Sequence, residues 1–147
     1  MDARPLVLVV SAAALAVPAV VVADGIGPHS SFYDQHPHAT SPGNDVSINV
    51  HRDKSNANLS VSNSCLGTST ANGMQFPNSV GAQGVRVRKG KIAFNGNATL
   101  FTNTGMEKVA MQFTATITSK KATGTVTFPK RPCGTIRYTA KLAKRTK

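Results

Sequence analysis

Histidines are the residues whose spacing first suggests chemistry in this sequence. His29, His36 and His38 lie close to Asp34, within a segment rich in glycine, proline and serine. Imidazoles together with a carboxylate can bind a transition metal. However, their spacing matches no structural zinc pattern, and a flexible segment must lose entropy to form a site. We therefore expect a polar segment here, with no metal ion and no cofactor.

A second candidate is His51 with Asp53, which lie two residues apart and so share one face of an extended chain. With a hydroxyl such as that of Ser60 they contain the residue types of a hydrolytic triad. The sequence has no nucleophile-elbow motif. Few carboxylic acids follow residue 23, so the paired carboxylates of a glycosidase are poorly supported as well. A hydrolase is the least favoured interpretation, and we predict no enzyme and no catalytic residues.

Positive charge supplies a broader chemical signal. The chain has a formal net charge of +11, and residues 86–147 carry fourteen basic residues against a single acid, Glu107. Such a field attracts polyanions, among them anionic wall polymers, acidic glycans, lipid headgroups and nucleic acid. The candidate polyanion-binding residues are Arg86, Arg88, Lys89, Lys91, Lys120, Lys121, Lys130 and Arg131, with Lys141, Lys144, Arg145 and Lys147 near the C-terminus.

The same basic residues have an alternative explanation, which stays open: they keep an exposed β surface soluble and its edges unpaired.

The chain has two tyrosines and six phenylalanines, and most of the phenylalanines fall at core positions of the predicted strands. Carbohydrate modules and nucleic-acid folds expose aromatic rings. We therefore expect no such platform, no specific nucleic-acid partner, and polyanion binding that is mainly electrostatic and sensitive to salt.

The first 23 residues have the pattern of a secretory signal peptide. Arg4 lies in a short polar start, an apolar run of 18 residues follows, and Val21 and Ala23 occupy the −3 and −1 positions of a cleavage site. The run is close to the roughly 20 residues of a membrane helix, but Ser11 and Pro18 interrupt it and no Lys/Arg cluster follows. We predict cleavage, a secreted extracellular protein, and no membrane span after cleavage.

Export makes a disulfide the expected state of the two cysteines, Cys65 and Cys133.

Residues 24–45 are rich in glycine, proline, serine and histidine, and we predict a flexible linker or an irregular lead-in strand. Residues 46–147 are predicted to form one β domain with a short basic C-terminal tail.

From Asp45 onward, apolar residues alternate with a period of two, which is typical of half-buried strands. The clearest run extends from Val109 to Ile117, and no window of comparable length has a helical period. Eight or so strands with one apolar face each must stack as two sheets or close as a barrel. We favour an antiparallel β-sandwich whose C-terminal half is a continuous meander, with Cys133 in its last loop.

The alternation also tests the turns, because directly paired residues of a hairpin face the same side. A two-residue turn at Lys89-Gly90 matches the apolar faces of its strands. A turn at Asn95-Gly96 would instead direct Ala98 toward water, so residues 91–102 are predicted to be one strand. The remaining predicted connections are a four-residue loop at Thr104–Glu107, a two- or four-residue loop around Ser119-Lys120, and a seven-residue loop at Pro129–Thr135.

Four segments, most of them near the C-terminus, form a recognisable set. They are Gly90–Phe94, Phe113–Ile117, Lys121–Val126 and Cys133–Lys141. The set resembles a group of uncharacterised exported actinobacterial proteins, which end in a Gly-Lys-Phe strand, an Ala-Thr-Gly-Thr strand and a cysteine followed by an aromatic-Thr-Ala-Lys/Arg close. Tyr138 stands where that group usually has tryptophan. The resemblance covers about residues 46–142 and implies a small extracellular β-sandwich, with no activity and no site residues.

Together these patterns predict a secreted, non-enzymatic β domain that associates electrostatically with anionic cell-envelope polymers through its basic C-terminal half. The alternative is an extracellular protein-binding module that uses loops or a sheet edge. In that case the basic charge is incidental, and binding survives moderate salt.

Overall fold

A computed structural model describes residues 31–35 and 44–143 of the chain. The predicted signal peptide lies outside these residues. Within them, no helix is long and apolar enough to cross a membrane. The elements are β1 (Ser31–Asp34), β2 (Asp45–Val50), β3 (Asn56–Ser62), a short 3-10 helix (Ser64–Leu66), β4 (Thr68–Ala71), β5 (Met74–Pro77), β6 (Ser79–Arg86), β7 (Lys91–Thr102), β8 (Gly105–Ile117), β9 (Lys121–Thr127) and β10 (Thr135–Leu142).

Eight of these strands close into an antiparallel barrel, in the order β1-β10-β9-β8-β7-β6-β3-β2, and β4 pairs only with β5. The predicted all-β class is confirmed, and so is the C-terminal meander, because β6 to β10 follow one another around the wall. The main sheet is a closed barrel rather than the predicted sandwich. The difference comes from β1, which pairs with both β2 and β10 and joins the two ends of the sheet.

Strand β1 lies within the segment 24–45 that was predicted to be a linker or a lead-in strand. Ser31 pairs with Val50 of β2, and Tyr33 pairs with Leu142 of β10. Of its four side chains only that of Tyr33 is buried, so the strand carries no run of alternating apolar residues that periodicity could detect. These four residues therefore belong to the barrel wall.

The turns of the meander follow the predictions at two positions. At Lys89-Gly90, Arg88 and Lys91 exchange two backbone hydrogen bonds of 2.9 Å, and both turn residues have positive φ, 49° and 70°. That conformation is the one a tight two-residue hairpin turn requires. The turn at Ser119-Lys120 is confirmed by the register of β8 with β9. Strand β7 also continues through Gly96, as predicted.

Two other predicted loops are wrong in position. Thr102 pairs with Gly105, so a two-residue turn joins β7 to β8 in place of the loop predicted at Thr104–Glu107. The last loop comprises Phe128–Gly134 in place of Pro129–Thr135. In both places the register differs from the prediction by an even number of residues, so the same apolar faces still point inward.

The barrel interior holds the apolar faces of the eight strands, and the largest fully buried side chains are Phe113, Phe128, Ile48, Leu100 and Met111. Tyr138 is also buried, and its ring centroid lies 5.4 Å from that of Phe113. Burial of apolar area on this scale is the main stabilising contribution to such a fold.

Gly124 occupies a tight position beside Tyr138. It pairs with Tyr138 on one side and with Ala115 on the other. The Tyr138 hydroxyl crosses it to donate a hydrogen bond of 2.7 Å to the carbonyl oxygen of Thr114. A Cβ at Gly124 would overlap that carbonyl and lie 2.9 Å from the hydroxyl oxygen. The wall therefore accepts only glycine at this position without a backbone shift.

The predicted disulfide between Cys65 and Cys133 is confirmed, with Cα atoms 5.3 Å apart. Cys65 lies in the 3-10 helix after β3, where the Asn63 side chain caps the helix by accepting a 3.0 Å hydrogen bond from the Cys65 backbone N–H. Cys133 lies in the loop between β9 and β10. The bridge therefore ties the last loop to the end of β3, as expected.

Because two tyrosines are buried, the free energy of unfolding of the barrel should fall at alkaline pH. Burial raises the pKa of the Tyr138 hydroxyl and that of the Tyr33 hydroxyl, which donates a 2.8 Å hydrogen bond to the carbonyl oxygen of Thr118. The unfolded chain ionises these groups near their ordinary pKa of 10.0, whereas the folded chain holds their protons to higher pH. Their contribution is fully present below that pH and is lost as the pH rises above it.

We expect Tyr138→Phe to reduce this alkaline loss. Between about pH 9 and about pH 11, the free energy of unfolding of the variant should fall by less than that of the wild type. Urea denaturation at the two pH values measures the difference. An equal fall in both proteins would contradict a buried, neutral Tyr138 hydroxyl.

Candidate functional site

Three turns and the end of β10 meet at one end of the barrel, because each antiparallel strand ends where its partner begins. The turns are His51–Ser55, Val87–Gly90 and Thr118–Lys120, and β10 ends at Leu142. Backbone hydrogen bonds join Val87 N to Ser55 O (2.7 Å), Ile117 N to Gly90 O (2.7 Å) and Leu142 N to Lys120 O (2.8 Å). These bonds fix the positions of the turns relative to one another.

This end of the barrel carries nine exposed basic side chains, and we call the set the basic end. Its members are Arg52, Lys54, Arg86, Arg88, Lys89, Lys91, Lys120, Lys121 and Lys141. Among the described residues, the acidic side chains beside them are Asp53 and Asp34, of which Asp34 lies opposite Lys141 in the register. Nine cations against two carboxylates produce a positive local potential that bound polyanion would neutralise.

Six of the eight candidate residues for polyanion binding that precede the C-terminal tail belong to the basic end, and two do not. Lys130 and Arg131 lie in the loop Phe128–Gly134, at the opposite end of the barrel. The Arg131 guanidinium also forms an ion pair with Glu107. Successive turns of an antiparallel meander alternate between the two ends, and this rule alone could have separated these two residues from Lys120 and Lys121. The tail residues Lys144, Arg145 and Lys147 lie outside the described part of the chain.

The sequence missed two members of the basic end, Arg52 and Lys54. They lie in the turn between β2 and β3, within a half of the chain that has more acidic than basic residues. The bond between Val87 N and Ser55 O brings this turn beside the Lys89-Gly90 turn. That contact depends on the pairing of β3 with β6, which charge counting along the sequence does not reveal.

The candidate triad of His51, Asp53 and Ser60 is not assembled. The Asp53 carboxylate accepts hydrogen bonds from the Ser55 hydroxyl (2.5 Å) and the Ser55 backbone N–H (3.0 Å), and these bonds hold the pKa of its carboxyl below the usual range. Ser60 lies four residues beyond the start of β3, about 13 Å along the strand, whereas His51 precedes the strand. The Asp53 carboxylate thus stabilises its own turn.

A second concave feature crosses the outer face of the barrel, and we call it the outer groove. It has a volume of about 500 Å³ and spans β1, β2, β3, β6, β7 and the start of β8. Its floor is a row of small residues that pair directly across four strands, namely Ser47, Ser60, Gly81 and Thr99. The sides carry larger side chains, with Phe32, Asn49, Asn58, Gln83 and Asn97 toward the basic end and Phe101 and Met106 on the other side.

Three phenylalanine rings, Phe32, Phe94 and Phe101, line this groove, although the sequence predicts no exposed aromatic platform. Phe32 and Phe101 are each half-buried on the outer surface. The sequence did not predict an outward Phe32 because its segment has no alternating apolar pattern. Phe101 follows the buried Leu100 in β7, so its ring lies on the opposite, outer face.

Neither metal ligands in the described residues nor comparison with known proteins assigns a function to this geometry. Within residues 31–35 and 44–143, no group of three His, Cys, Asp or Glu side chains could hold a metal ion, and His29, His36 and His38 lie outside those ranges. The resemblance to exported actinobacterial proteins stays a prediction. No protein-family model matches the chain, and no curated protein or solved structure shows significant similarity to it.

Proposed function

We propose that this protein is a secreted, non-enzymatic β-barrel that binds anionic polymers of the cell envelope through its basic end. The observation that carries the proposal is the convergence of nine exposed basic side chains on three hydrogen-bonded turns and on the strand ends beside them. The disulfide supports an extracellular location, because such bonds persist in oxidising compartments.

Several simultaneous contacts are needed for binding of this kind. A single exposed ion pair contributes about 0–1 kcal/mol, so one lysine alone would hold a polymer weakly. A polyanion with regularly spaced charges engages many cations at once, and each further contact forms at a high effective concentration. Because the cations are exposed, salt screens the attraction.

The alternative of a protein partner at a sheet edge has less support. The main sheet closes on itself, so within the described residues its strands all have neighbours on both sides. Free edges remain on the hairpin of β4 and β5. A partner that adds a strand would therefore have to use that short hairpin.

The proposal is tested by two double variants that change the net charge equally. Lys120→Glu with Lys121→Glu reverses charge at the basic end, whereas Lys130→Glu with Arg131→Glu does so at the opposite end. Binding to immobilised dextran sulfate is measured for both, with neutral dextran as the background. We expect the first variant to lose at least about tenfold in affinity, which corresponds to about 1.4 kcal/mol, and the second to lose less than about twofold.

Two results would contradict the proposal. An equal loss in both double variants would mean that net charge, and not the basic end, attracts the polymer. Unchanged binding by the Lys120/Lys121 variant would mean that the polymer contacts another surface.

A further inference from the structure

We propose that the outer groove is a binding site for a neutral oligosaccharide. This site is separate from the basic end and does not depend on the function proposed above. Four features support it: the shape of the groove, the hydrogen-bonding state of its polar side chains, its phenylalanine rings and its near absence of charge.

The shape follows from the register of the strands. Ser47 pairs with Ser60, Ser60 with Gly81, and Gly81 with Thr99, so a line of small residues crosses the wall. Gly81 adds no side chain at all to this line. The volume of about 500 Å³ lies within the roughly 300–1,000 Å³ of small-ligand sites. The groove is elongated across strands, which suits a chain of sugar rings.

Several polar side chains of the groove have no hydrogen-bond partner among the described residues. Ser47, Ser60, Gln83 and Asn97 make no side-chain hydrogen bond within the described structure, and the Oδ1 atom of Asn49 is buried and unpaired. Buried polar atoms are normally satisfied, so an exception calls for a ligand or another explanation. Amide groups offer both donors and acceptors, and sugar hydroxyls need both.

Other polar groups of the groove already form hydrogen bonds within the protein, and these bonds hold the side chains of the groove in place. Asn58 Oδ1 accepts a 3.1 Å hydrogen bond from Gly84 N, and Lys108 Nζ donates one of 2.9 Å to Thr99 Oγ1. These bonds fix Asn58 on one side of the floor row and Lys108 at its Thr99 end. A fixed frame lowers the entropy that must be lost when a ligand binds.

Aromatic rings provide the apolar part of the site. Phe32 and Phe101 lie half-buried on opposite sides of the floor row, and Met106 beside Phe101 is 70% exposed. A pyranose ring presents C–H groups on its faces, and these can pack against a phenyl ring while the hydroxyls at its rim reach amide side chains. Rings on both sides of the floor row, with amide side chains on the Phe32 side, provide both kinds of contact.

The charges of the lining favour a neutral sugar over other ligands. Lys108 is the charged member of the lining, and its ammonium already donates to Thr99. An anionic glycan would meet few cations here, unlike at the basic end. A peptide strand would find a sheet face rather than an edge, and a face offers no row of unpaired backbone groups.

The experiment is a titration of the ¹⁵N-labelled oxidised protein with neutral tetrasaccharides of glucose, mannose, galactose and N-acetylglucosamine, followed by NMR. We expect at least one of them to shift the amide signals of Ser60, Gly81 and Thr99 saturably, with a Kd of about 1 mM or below. If none of them shifts these signals, or if the shifts map outside the groove, the proposal is overturned.

Variants distinguish a ligand site from a structural one. Asn97→Ala should lose at least about tenfold in sugar affinity, whereas Gln112→Ala, an exposed amide outside the groove, should keep it. Asn49→Val should lose the binding and also raise Tm, because it removes a buried unpaired oxygen and adds a β-branched side chain to a strand. Retained sugar binding in Asn97→Ala and Asn49→Val would overturn the proposal.

The outcome is independent of the polyanion proposal. Asn49→Val and Asn97→Ala should bind dextran sulfate as the wild type does. Conversely, charge reversal at Lys120 and Lys121 should leave the sugar titration unchanged. Failure at one site therefore does not decide the other.

Discussion

Gly124→Ala is expected to lower the free energy of unfolding by about 3 kcal/mol or more, at the upper end of what overpacking costs. The added methyl group would overlap the carbonyl oxygen of Thr114 and press on the Tyr138 hydroxyl. Relief of that overlap requires β8 and β9 to separate or the Tyr138 ring to leave its buried position. The hydrogen bond between Tyr138 and Thr114 would then weaken. Urea denaturation of the oxidised protein measures the loss.

Gly81→Ala is the matched control for this variant. Gly81 also lies within a strand, but a Cβ there would meet its nearest neighbours, Phe101 and the Leu59 carbonyl, at the ordinary contact distances of 3.5 and 3.6 Å. Its free energy of unfolding should change by less than about 1 kcal/mol, as for an unstrained substitution. If both variants unfolded at the same urea concentration, the tight approach at Gly124 would be refuted.

Removal of the disulfide is expected to have the second large effect. The bridge closes a loop with a sequence separation of 68 residues, and the chain-entropy model gives about 4 kcal/mol for a loop of that size. Cys65→Ser with Cys133→Ser should therefore shift the urea midpoint strongly downward relative to the oxidised wild type. Reduced wild-type protein should unfold at nearly the same urea concentration as the double variant.

The location of the disulfide adds a second expectation. The bridge lies at the end of the barrel opposite the basic end, since β3 and β9 begin at the basic end and lead toward the cysteines. Where the double variant is still folded, its binding to dextran sulfate should match that of the wild type. A midpoint that did not move, or binding lost from the folded variant, would contradict this account of the bridge.

Sequence alternation predicted which faces are buried better than it predicted the barrel itself. The side chains of Val109, Met111, Phe113 and Ala115 are buried, as their parity required. The predicted position of the loop after β7 was wrong by an even number of residues in register. Alternation cannot detect such a shift, because both registers bury the same face. Closure escaped prediction because it depends on β1, whose single buried residue, Tyr33, forms no pattern.

The two candidate sites differ in how much of them the sequence could show. The basic end was partly predictable, because Lys89, Lys120 and their neighbours lie in turns that parity located. The outer groove was not, because its floor joins Ser47, Ser60, Gly81 and Thr99 through three separate strand registers. Serine and glycine at outward positions are common in any strand, so nothing in the sequence marks these four residues as neighbours.

The salt dependence of polyanion binding tests the central claim most directly. Affinity for dextran sulfate is measured across a series of NaCl concentrations for the wild type and for the Lys120→Glu/Lys121→Glu variant. If the basic end binds the polymer, the wild-type affinity falls steeply with salt, and the variant shows a shallower slope because fewer counterions are released on binding. Wild-type affinity that ignores salt, or equal slopes in the two proteins, would contradict binding through the basic end.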